Sequence, residues 1–482
     1  MFRRTKIVAT VGPASAGPER LAALIEAGVN VFRLNFSHGS ADDHRAVAED
    51  IRRCASEQGR IVAVLGDLQG PKIRIARFRD GPVTLDNGAA FTLDTALDVD
   101  AGDRHRVGVD YPALAGECAA GDTLLLNDGL IELQVESVRG SQVNCRVISG
   151  GELSNHKGIN RKGGGLNAET LTDKDRRDIV LAVSLEVDYL ALSFPRHADD
   201  IHQARALYRQ AGGQGGLVAK IERAEAVADP DTLDQLILAA DGVMVARGDL
   251  AVEIGDAELV GVQKHIIRRA RALDRFVITA TQMMESMIHS PQPTRAEVSD
   301  VANAVLDGTD AVMLSAETAV GEYPLATVNA MARIILGAER TYQSRLPEPV
   351  AEPGITRSDE GIARAAMYLA NHLEGVQAIL AMTDTGTTPR LMSRIRSGMP
   401  IFALTPHAAT RRRVAIYRGV QPLAFDSAGL APEQANQAAV AQLLQRDLVH
   451  PGARLILTKG DAVNQHGGTN TLKVITVGDA GR

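Results

Sequence analysis

Lys220, Glu222 and Asp249 stand at the ends of two apolar runs, Val218-Ala219-Lys220-Ile221-Glu222-Arg223 and Val243-Met244-Val245-Ala246-Arg247-Gly248-Asp249. Each run breaks abruptly into charge, as a buried parallel strand does where it reaches the rim of a sheet. Two carboxylates at one rim can hold Mg²⁺, and a lysine beside them can neutralise a phosphoryl group or an enolate. For one strand taken alone, a salt bridge capping the core explains the pattern equally well. The other strands decide.

Short Val/Ile/Ala/Leu runs recur along the chain at Lys6–Val11, Val31–Phe36, Ile61–Asp67, Tyr189–Phe194, Leu217–Glu222, Gly242–Arg247, Val277–Gln282 and Ala311–Ala316. They alternate with amphipathic stretches of helical length, including Ala41–Glu57, Asp173–Leu185, Asp199–Ala211, Glu258–Leu273 and Thr294–Leu306. Strand-helix units repeated in this way predict an α/β fold, a (β/α)₈ TIM barrel, whose active site lies at the C-terminal strand ends. Those ends carry Asn35, Ser37, Asp67, Ser193, Glu222, Asp249, Thr281, Gln282 and Glu317, while the strand bodies are apolar. Core salt bridges alone would not gather on one side, so the rim reads as a catalytic site.

The alternation is interrupted once. Between the third and fourth strands lie about 120 residues, far more than one crossover needs. Within them Gly81–Leu93, Asp122–Ser137 and Gln142–Ser149 read as strands punctuated by Asn-Gly, Gly-Asp and Asp-Gly turns. The expectation is a barrel built from residues 1–70 and 166–345, with a small all-β domain inserted over 71–165. Leaving the active-site face, the insert can close as a lid, hinged at Gln69-Gly70-Pro71 and Gly163-Gly164-Gly165. After Leu346-Pro347-Glu348-Pro349, a linker by composition, residues 346–482 read as a separate α/β domain. Its strands are expected at Val376–Thr383, Pro400–Leu404, Gln421–Phe425, Arg454–Thr458 and Lys473–Val477. The first ends in Thr383-Asp384-Thr385-Gly386-Thr387-Thr388-Pro389 directly before a helix, where backbone N–H groups and hydroxyls suit a phosphate. Threonine capping is the plainer alternative, but four threonines exceed what one cap needs.

Composition narrows the remaining classes. A net charge of −7 over 482 residues gives no bulk electrostatic case for nucleic acid or membrane partners. The densest basic run, Arg411-Arg412-Arg413, reads as a solvated helix face rather than an anion site. Cys54, Cys118 and Cys145 lack CxxC spacing, which argues against a disulfide framework or a cysteine zinc site and suits a reducing cytoplasm. The basic N-terminus has too few successive apolar residues for a signal peptide, and no apolar run is long enough to span a bilayer. A cytoplasmic location is expected.

With these motifs laid out, the chain resembles the pyruvate kinase family from end to end. The resemblance rests on Thr5-Lys6-Ile7-Val8-Ala9-Thr10-Val11-Gly12-Pro13, on Asn30-Val31-Phe32-Arg33-Leu34-Asn35-Phe36-Ser37-His38-Gly39 and on Lys220-Ile221-Glu222. It continues through Met244-Val245-Ala246-Arg247-Gly248-Asp249-Leu250, Thr279-Ala280-Thr281-Gln282-Met283, Pro293-Thr294-Arg295-Ala296-Glu297 and Asp307-Gly308-Thr309-Asp310-Ala311-Val312-Met313-Leu314-Ser315. It implies phosphoryl transfer from phosphoenolpyruvate to ADP, giving ATP and pyruvate. Because such transfer has a loose transition state, catalysis means positioning and charge neutralisation. By this likeness Glu222 and Asp249 hold Mg²⁺, and Lys220 sits on the transferring phosphoryl and the enolate oxygen. Arg33 engages the substrate phosphate. Asn35, His38, Arg74 and, from the lid, Lys157 engage the nucleotide phosphates. Gly248 and Asp249 open a helix whose amides take the substrate carboxylate, and Thr281 completes that pocket while orienting a water that protonates the enolate. Thr383, Thr385, Gly386, Thr387 and Thr388 would hold the phosphate of an allosteric activator, a sugar monophosphate before AMP. A homotetramer is implied.

The chain departs from many family members at one place. Where they read Asp-Thr-Lys-Gly-Pro-Glu and require K⁺, this sequence reads Asp67-Leu68-Gln69-Gly70-Pro71-Lys72. The lysine exchanges a negative for a positive charge near the substrate, as in the K⁺-independent branch. Asn35, Ser37 and Asp67 remain as oxygen ligands for a monovalent cation, but activity is expected not to require K⁺. Two other readings compete. A Mg²⁺-dependent aldolase or lyase acting on a 2-keto acid would need no Arg74, Lys157 or lid, and ADP dependence separates it. A phosphometabolite sensor on a relic barrel is opposed by the intact Lys220, Arg33 and paired carboxylates.

Overall fold

The computed structural model describes residues 2–342, 354–460 and 468–478. The linker Leu346-Pro347-Glu348-Pro349 lies outside them. Eight parallel strands close into a barrel in sequential order: Lys6–Thr10, Val31–Asn35, Ala63–Asp67, Tyr189–Leu192, Gly216–Ile221, Gly242–Ala246, Phe276–Ala280 and Ala311–Leu314. Most end one or two residues before the sequence expectation, because the polar rim residues have left the ladder. Strand interiors are apolar on both faces, as a sheet buried inside and out requires. Register places Asn35 opposite Asp67 and Asp67 beside Ala191, so strands 2 to 4 deliver their terminal side chains to one spot.

The surrounding helices start where the sequence supplies caps. Ser40 and Asp43 form a capping box for Ala41–Glu57, as do Thr172 and Asp175 for Asp173–Ser184, and Thr294 and Glu297 for Arg295–Asp307. Asp175 has a second task. Fully buried, it accepts the amide of Gly70 at 3.0 Å and so anchors the departure of the inserted segment. Gly70 itself has φ 68°, and a Cβ there would stand 2.7 Å from Cβ of Ser193. Only glycine fits.

The insert holds a six-stranded mixed sheet and a two-stranded ribbon with their own apolar core. Gly81–Leu93 resolves into Val83–Leu85 and Ala90–Asp94, and Asp122–Ser137 into Thr123–Leu126 and Ile131–Arg139. The second break falls at Asn127-Asp128-Gly129, all at positive φ. The C-terminal sheet runs Val420–Ala424, Ile401–Thr405, Val376–Met382, Arg454–Gly460 and Thr469–Thr476, the last antiparallel to its neighbour.

The C-terminal unit seals the floor of the barrel. Ile416, fully buried, joins the cluster of Val8, Leu65, Tyr189, Met244 and Phe276 that fills the barrel interior. The helix leading to it, Ala408–Val414, contains the arginine triplet, and the reading of that triplet as a solvated face is corrected here. Arg412 pairs with Asp188 of the barrel at 2.7 Å, and the Tyr189 hydroxyl donates to the Arg413 carbonyl at 2.7 Å. Arg411 donates to the carbonyls of Thr405 and Pro406. Arg412 docks the helix on the barrel, and Arg411 ties it to the turn before it, so the triplet does not simply face water. Lys6, Arg394 and Asp310 add further buried contacts across the same junction. Among the described residues no helix is long and apolar enough to cross a membrane.

Candidate active site

Strand ends bring together the residues first singled out. The Lys220 ammonium donates to Ser193 Oγ at 2.7 Å, lies 2.9 Å from Glu222 Oε1 and 3.4 Å from Asp67 Oδ1. Burial opposes its charge, yet Asp67 and Glu222 outweigh burial and raise its pKa above the ordinary lysine value. Asp67 is fully buried, and its Oδ2 takes Arg33 Nε at 2.6 Å. Burial alone would raise the Asp67 carboxyl, but Lys220 and then Arg33 outweigh it and hold the pKa below the usual range. Arg33 is fixed a second time by Nη1 donating to Thr10 Oγ1 at 3.1 Å. An arginine tethered on two sides is pre-oriented for an anion.

Glu222 differs from its neighbours. Its Oε2 accepts the Phe194 amide at 2.8 Å, and burial with the nearby negative charge of Asp249 pushes its pKa up to about 7 despite Lys220. A buried carboxylate beside a second carboxylate is relieved by a dication, so the donor pair fits Mg²⁺. Two carboxylates suffice, because Mg²⁺ keeps several waters and substrate oxygens. Among the described residues no group of three or more His, Cys, Asp or Glu could hold a metal ion, so Glu222 and Asp249 are not part of a larger all-protein cage.

Lys72 occupies an unexpected place. Its ammonium donates to Asp249 Oδ1 at 3.0 Å and lies 3.7 Å from Asp128 of the insert. Burial lowers its pKa, but Asp249 and Asp128 outweigh that and raise it. The positive charge therefore stands on Asp249 rather than on Asn35, Ser37 or Asp67, the oxygens expected to face a monovalent cation. Of those, Asn35 Oδ1 accepts the Ser37 amide at 3.2 Å. Asp67 Oδ1 is buried and faces the Lys220 ammonium at 3.4 Å, outside hydrogen-bond geometry. With Arg33 and Lys220 already neutralising the carboxylate, little negative charge is left for a monovalent cation.

The helix Arg247–Ile254 begins at the end of strand 6, as read from the sequence. Its Gly248 amide, expected to be open for a carboxylate, instead donates to Thr281 Oγ1 at 2.8 Å, and that hydroxyl donates to the Ala280 carbonyl at 2.6 Å. Gly248, Asp249 and Thr281 are nonetheless neighbours. Thr281 and Gln282 both have positive φ, 69° and 52°, which sequence reasoning did not foresee. Glu317, a rim residue from strand 8, accepts the amides of Met284 and Ser315 at 3.1 and 2.6 Å and so ties this turn to the barrel.

At the base of the insert Arg74 pairs with Gly158, the Ile75 amide donates to the Lys157 carbonyl, and Arg74 Nη1 donates to the His156 carbonyl at 3.0 Å. Arg74 and Lys157 are thus held on adjacent segments. Asn35 and His38 lie at the end of strand 2, His38 exposed with its carbonyl 2.9 Å from His44 Nε2.

In the C-terminal unit a cavity of about 420 Å³ is lined by Thr383, Thr385, Thr387, Thr388, Phe425 and Lys459, among others. The helix behind the loop, Thr387–Ser393, is capped by Gly386 at φ 83° and not by a threonine side chain. The threonines partly satisfy one another: Thr383 Oγ1 accepts the Gly386 amide, Thr385 and Thr387 hydroxyls meet at 3.0 Å, and Thr388 bonds Thr469 at 2.7 Å.

Comparison with known proteins agrees with this architecture. The family description "Pyruvate kinase, barrel domain" matches residues 2–328, and "Pyruvate kinase, alpha/beta domain" matches 360–475. The chain is 54% identical over 476 residues to pyruvate kinase II of Salmonella typhimurium, covering 99% of each chain. It is 52% identical over 459 residues to a pyruvate kinase of Haemophilus influenzae, covering 95% of this chain and 96% of that one. A crystal structure of a pyruvate kinase from Cryptosporidium parvum superposes with TM-score 0.88 at 33% identity, covering 98% and 96% of the two chains. The chain belongs to the pyruvate kinase family.

Proposed function

We propose that the chain transfers the phosphoryl group of phosphoenolpyruvate to ADP and protonates the resulting enolate to pyruvate. The observation that carries this reading is the cluster of Lys220, Glu222, Asp67 and Arg33, two cations interleaved with two buried carboxylates at one rim. Arg33 takes the substrate phosphate, and Lys220 follows the charge from phosphoryl oxygen to enolate oxygen. Mg²⁺ on Glu222 and Asp249 would supply charge neutralisation at the same oxygens. The substrate carboxylate takes the amides of Gly248 and Asp249 and displaces the Thr281 hydroxyl from the Gly248 amide. Thr281 then orients a water toward the methylene carbon. Arg74 and Lys157 meet the nucleotide phosphates with Asn35 and His38 when residues 71–165 close as a lid over the rim formed by residues 1–70 and 166–345.

Monovalent cation is not required in this reading. Lys72 supplies a resident positive charge beside Asp249. For activation by a phosphorylated metabolite, the support is the cavity beside Thr383–Thr388 in the C-terminal unit, roughly 346–482, and its link to the barrel. Thr410 Oγ1 donates to the Asp384 carbonyl at 2.7 Å, and the same helix carries Arg412 to Asp188 and Ile416 into the barrel floor. A sugar monophosphate or AMP in the cavity therefore acts through a continuous packed element, in a cytoplasmic homotetramer. A pyruvate-formation assay tests the whole reading: turnover should require both phosphoenolpyruvate and ADP, persist without K⁺, and respond to phosphorylated metabolites. ADP-independent pyruvate formation would return the chain to the lyase class.

A further inference from the structure

We infer that Arg247 is a positioning residue that holds Thr281 in its working conformation and couples it to the carboxylate-binding amides, an inference that rests on the reaction proposed above. Arg247 is almost wholly buried where strand 6 becomes the Arg247–Ile254 helix. Its guanidinium collects the carbonyls of two successive residues: Nε donates to Ala280 and Thr281 oxygens at 3.2 Å each, and Nη2 to the Thr281 oxygen at 2.6 Å. The remaining Nη1 is balanced by Asp300 Oδ1 at 2.8 Å and Gln263 Oε1 at 3.4 Å, and Nη2 touches Met283 Sδ at 2.9 Å.

Two successive non-glycine residues at φ 69° and 52° form an uncommon backbone, and the β-branched Thr281 is especially unfavourable there. Such a turn persists only where its surroundings over-determine it. Arg247 supplies that determination from strand 6 by fixing where the Thr281 carbonyl points, and Glu317 supplies it from strand 8 through the Met284 amide. Arg247 also directly precedes Gly248, whose amide donates to the Thr281 hydroxyl. One residue therefore sets the distance between the proton-relay hydroxyl and the amides that hold the substrate carboxylate. A mere core cation would need neither the paired carbonyls nor the left-handed turn.

The test compares the parent with Arg247→Lys, Arg247→Met and the double variant Arg247→Met/Gln282→Gly, the glycine removing the conformational demand at one of the two positions. Readouts are pyruvate formation, apparent KM for phosphoenolpyruvate, and exchange of pyruvate methyl protons with D₂O followed by proton NMR. In Arg247→Met, proton exchange and kcat should fall on the order of 10²-fold, the lower range for a misplaced acid-base group, while KM changes by about threefold or less. Arg247→Lys should lie between, and the glycine should restore at least about tenfold of the exchange rate. Should Arg247→Met not fold, Arg247→Lys with and without Gln282→Gly carries the same comparison. Exchange unchanged in a folded variant, or a loss that glycine does not relieve, overturns the inference. A parent without turnover refutes the reaction itself, which is a separate outcome.

Discussion

Replacing Lys220 by methionine keeps chain length and removes one charge from the centre of the rim. The ammonium has three neighbours, Ser193 at 2.7 Å, Glu222 at 2.9 Å and Asp67 at 3.4 Å, and its side chain is 12% exposed. Removing one partner of a buried pair usually costs ~3–5 kcal/mol of stability. Here the cost should be smaller, for two reasons. Asp67 keeps Arg33 at 2.6 Å, and Glu222, already pushed up to about 7, takes a proton instead of standing charged and alone. The catalytic cost is separate. A preorganised charge aimed at developing negative charge contributes on the order of 10²–10³ in rate, ~2.7–4 kcal/mol. Lys220→Met should therefore lose about that factor in kcat in a coupled pyruvate assay, with thermal unfolding showing a folded protein and Mn²⁺ binding showing the carboxylate pair intact. Some exchange of pyruvate methyl protons should survive, since it depends more on the metal and the Thr281 relay. Turnover within about threefold of the parent would refute the role given to this lysine.

Four further outcomes are expected. Activity without K⁺ should lie within a few-fold of that at saturating K⁺, whereas Lys72→Glu, which sets a carboxylate against Asp249, should lower turnover and make it respond to added K⁺; a strict K⁺ requirement in the parent contradicts this. Thr385→Val with Thr387→Glu should abolish the response to a phosphorylated activator, worth ~1–3 kcal/mol in coupling, and an unaltered response would leave these threonines as loop structure only. Ile416→Ala should cost ~2–5 kcal/mol of stability by emptying the barrel floor and should weaken activator response more than saturated kcat; a full response in the folded variant removes Ile416 from the coupling path. Lys6, whose ammonium donates to the Val420 carbonyl at 2.5 Å, is lowered to about 7, chiefly by burial and then by Arg3, against Glu339 and Asp310. Its folded value lies below the unfolded one, so the unfolded chain holds more protons between the two values and stability rises with pH, by at most about 1.4 kcal/mol per pH unit. Lys6→Met should flatten denaturant midpoints measured between about pH 7 and pH 9, and an unchanged slope would assign it to other groups.

The barrel was legible because its strands are buried on both faces and so read as apolar runs, each ending in the polar residue it delivers. Lys220, Glu222 and Asp67 needed nothing more to be placed together. The insert was legible as an interruption but not strand by strand, since Asn127-Asp128-Gly129 turns within a run whose flanks look continuous. Contacts made by tertiary packing left little local trace. Nothing near Lys72 predicts that its ammonium lies on Asp249, 177 positions away. The arginine triplet has the composition of a solvated helix face, and only the assembled junction shows Arg412 on Asp188. Left-handed backbone at Thr281 is hidden for a similar reason: a β-branched residue signals extended chain, and the force that overrides it comes from Arg247, at the start of a helix remote in sequence. Local pattern fixes what a residue can do, while partners remote in sequence fix how it is held.

The central claim is phosphoryl transfer between two bound substrates, and ³¹P NMR of one reaction mixture tests it most directly. With phosphoenolpyruvate, ADP and Mg²⁺, and no K⁺, the phosphoenolpyruvate resonance should decay as the γ-phosphate of ATP appears in equal amount, and omission of ADP should stop the decay. Inorganic phosphate in place of ATP, or decay that continues without ADP, would contradict it.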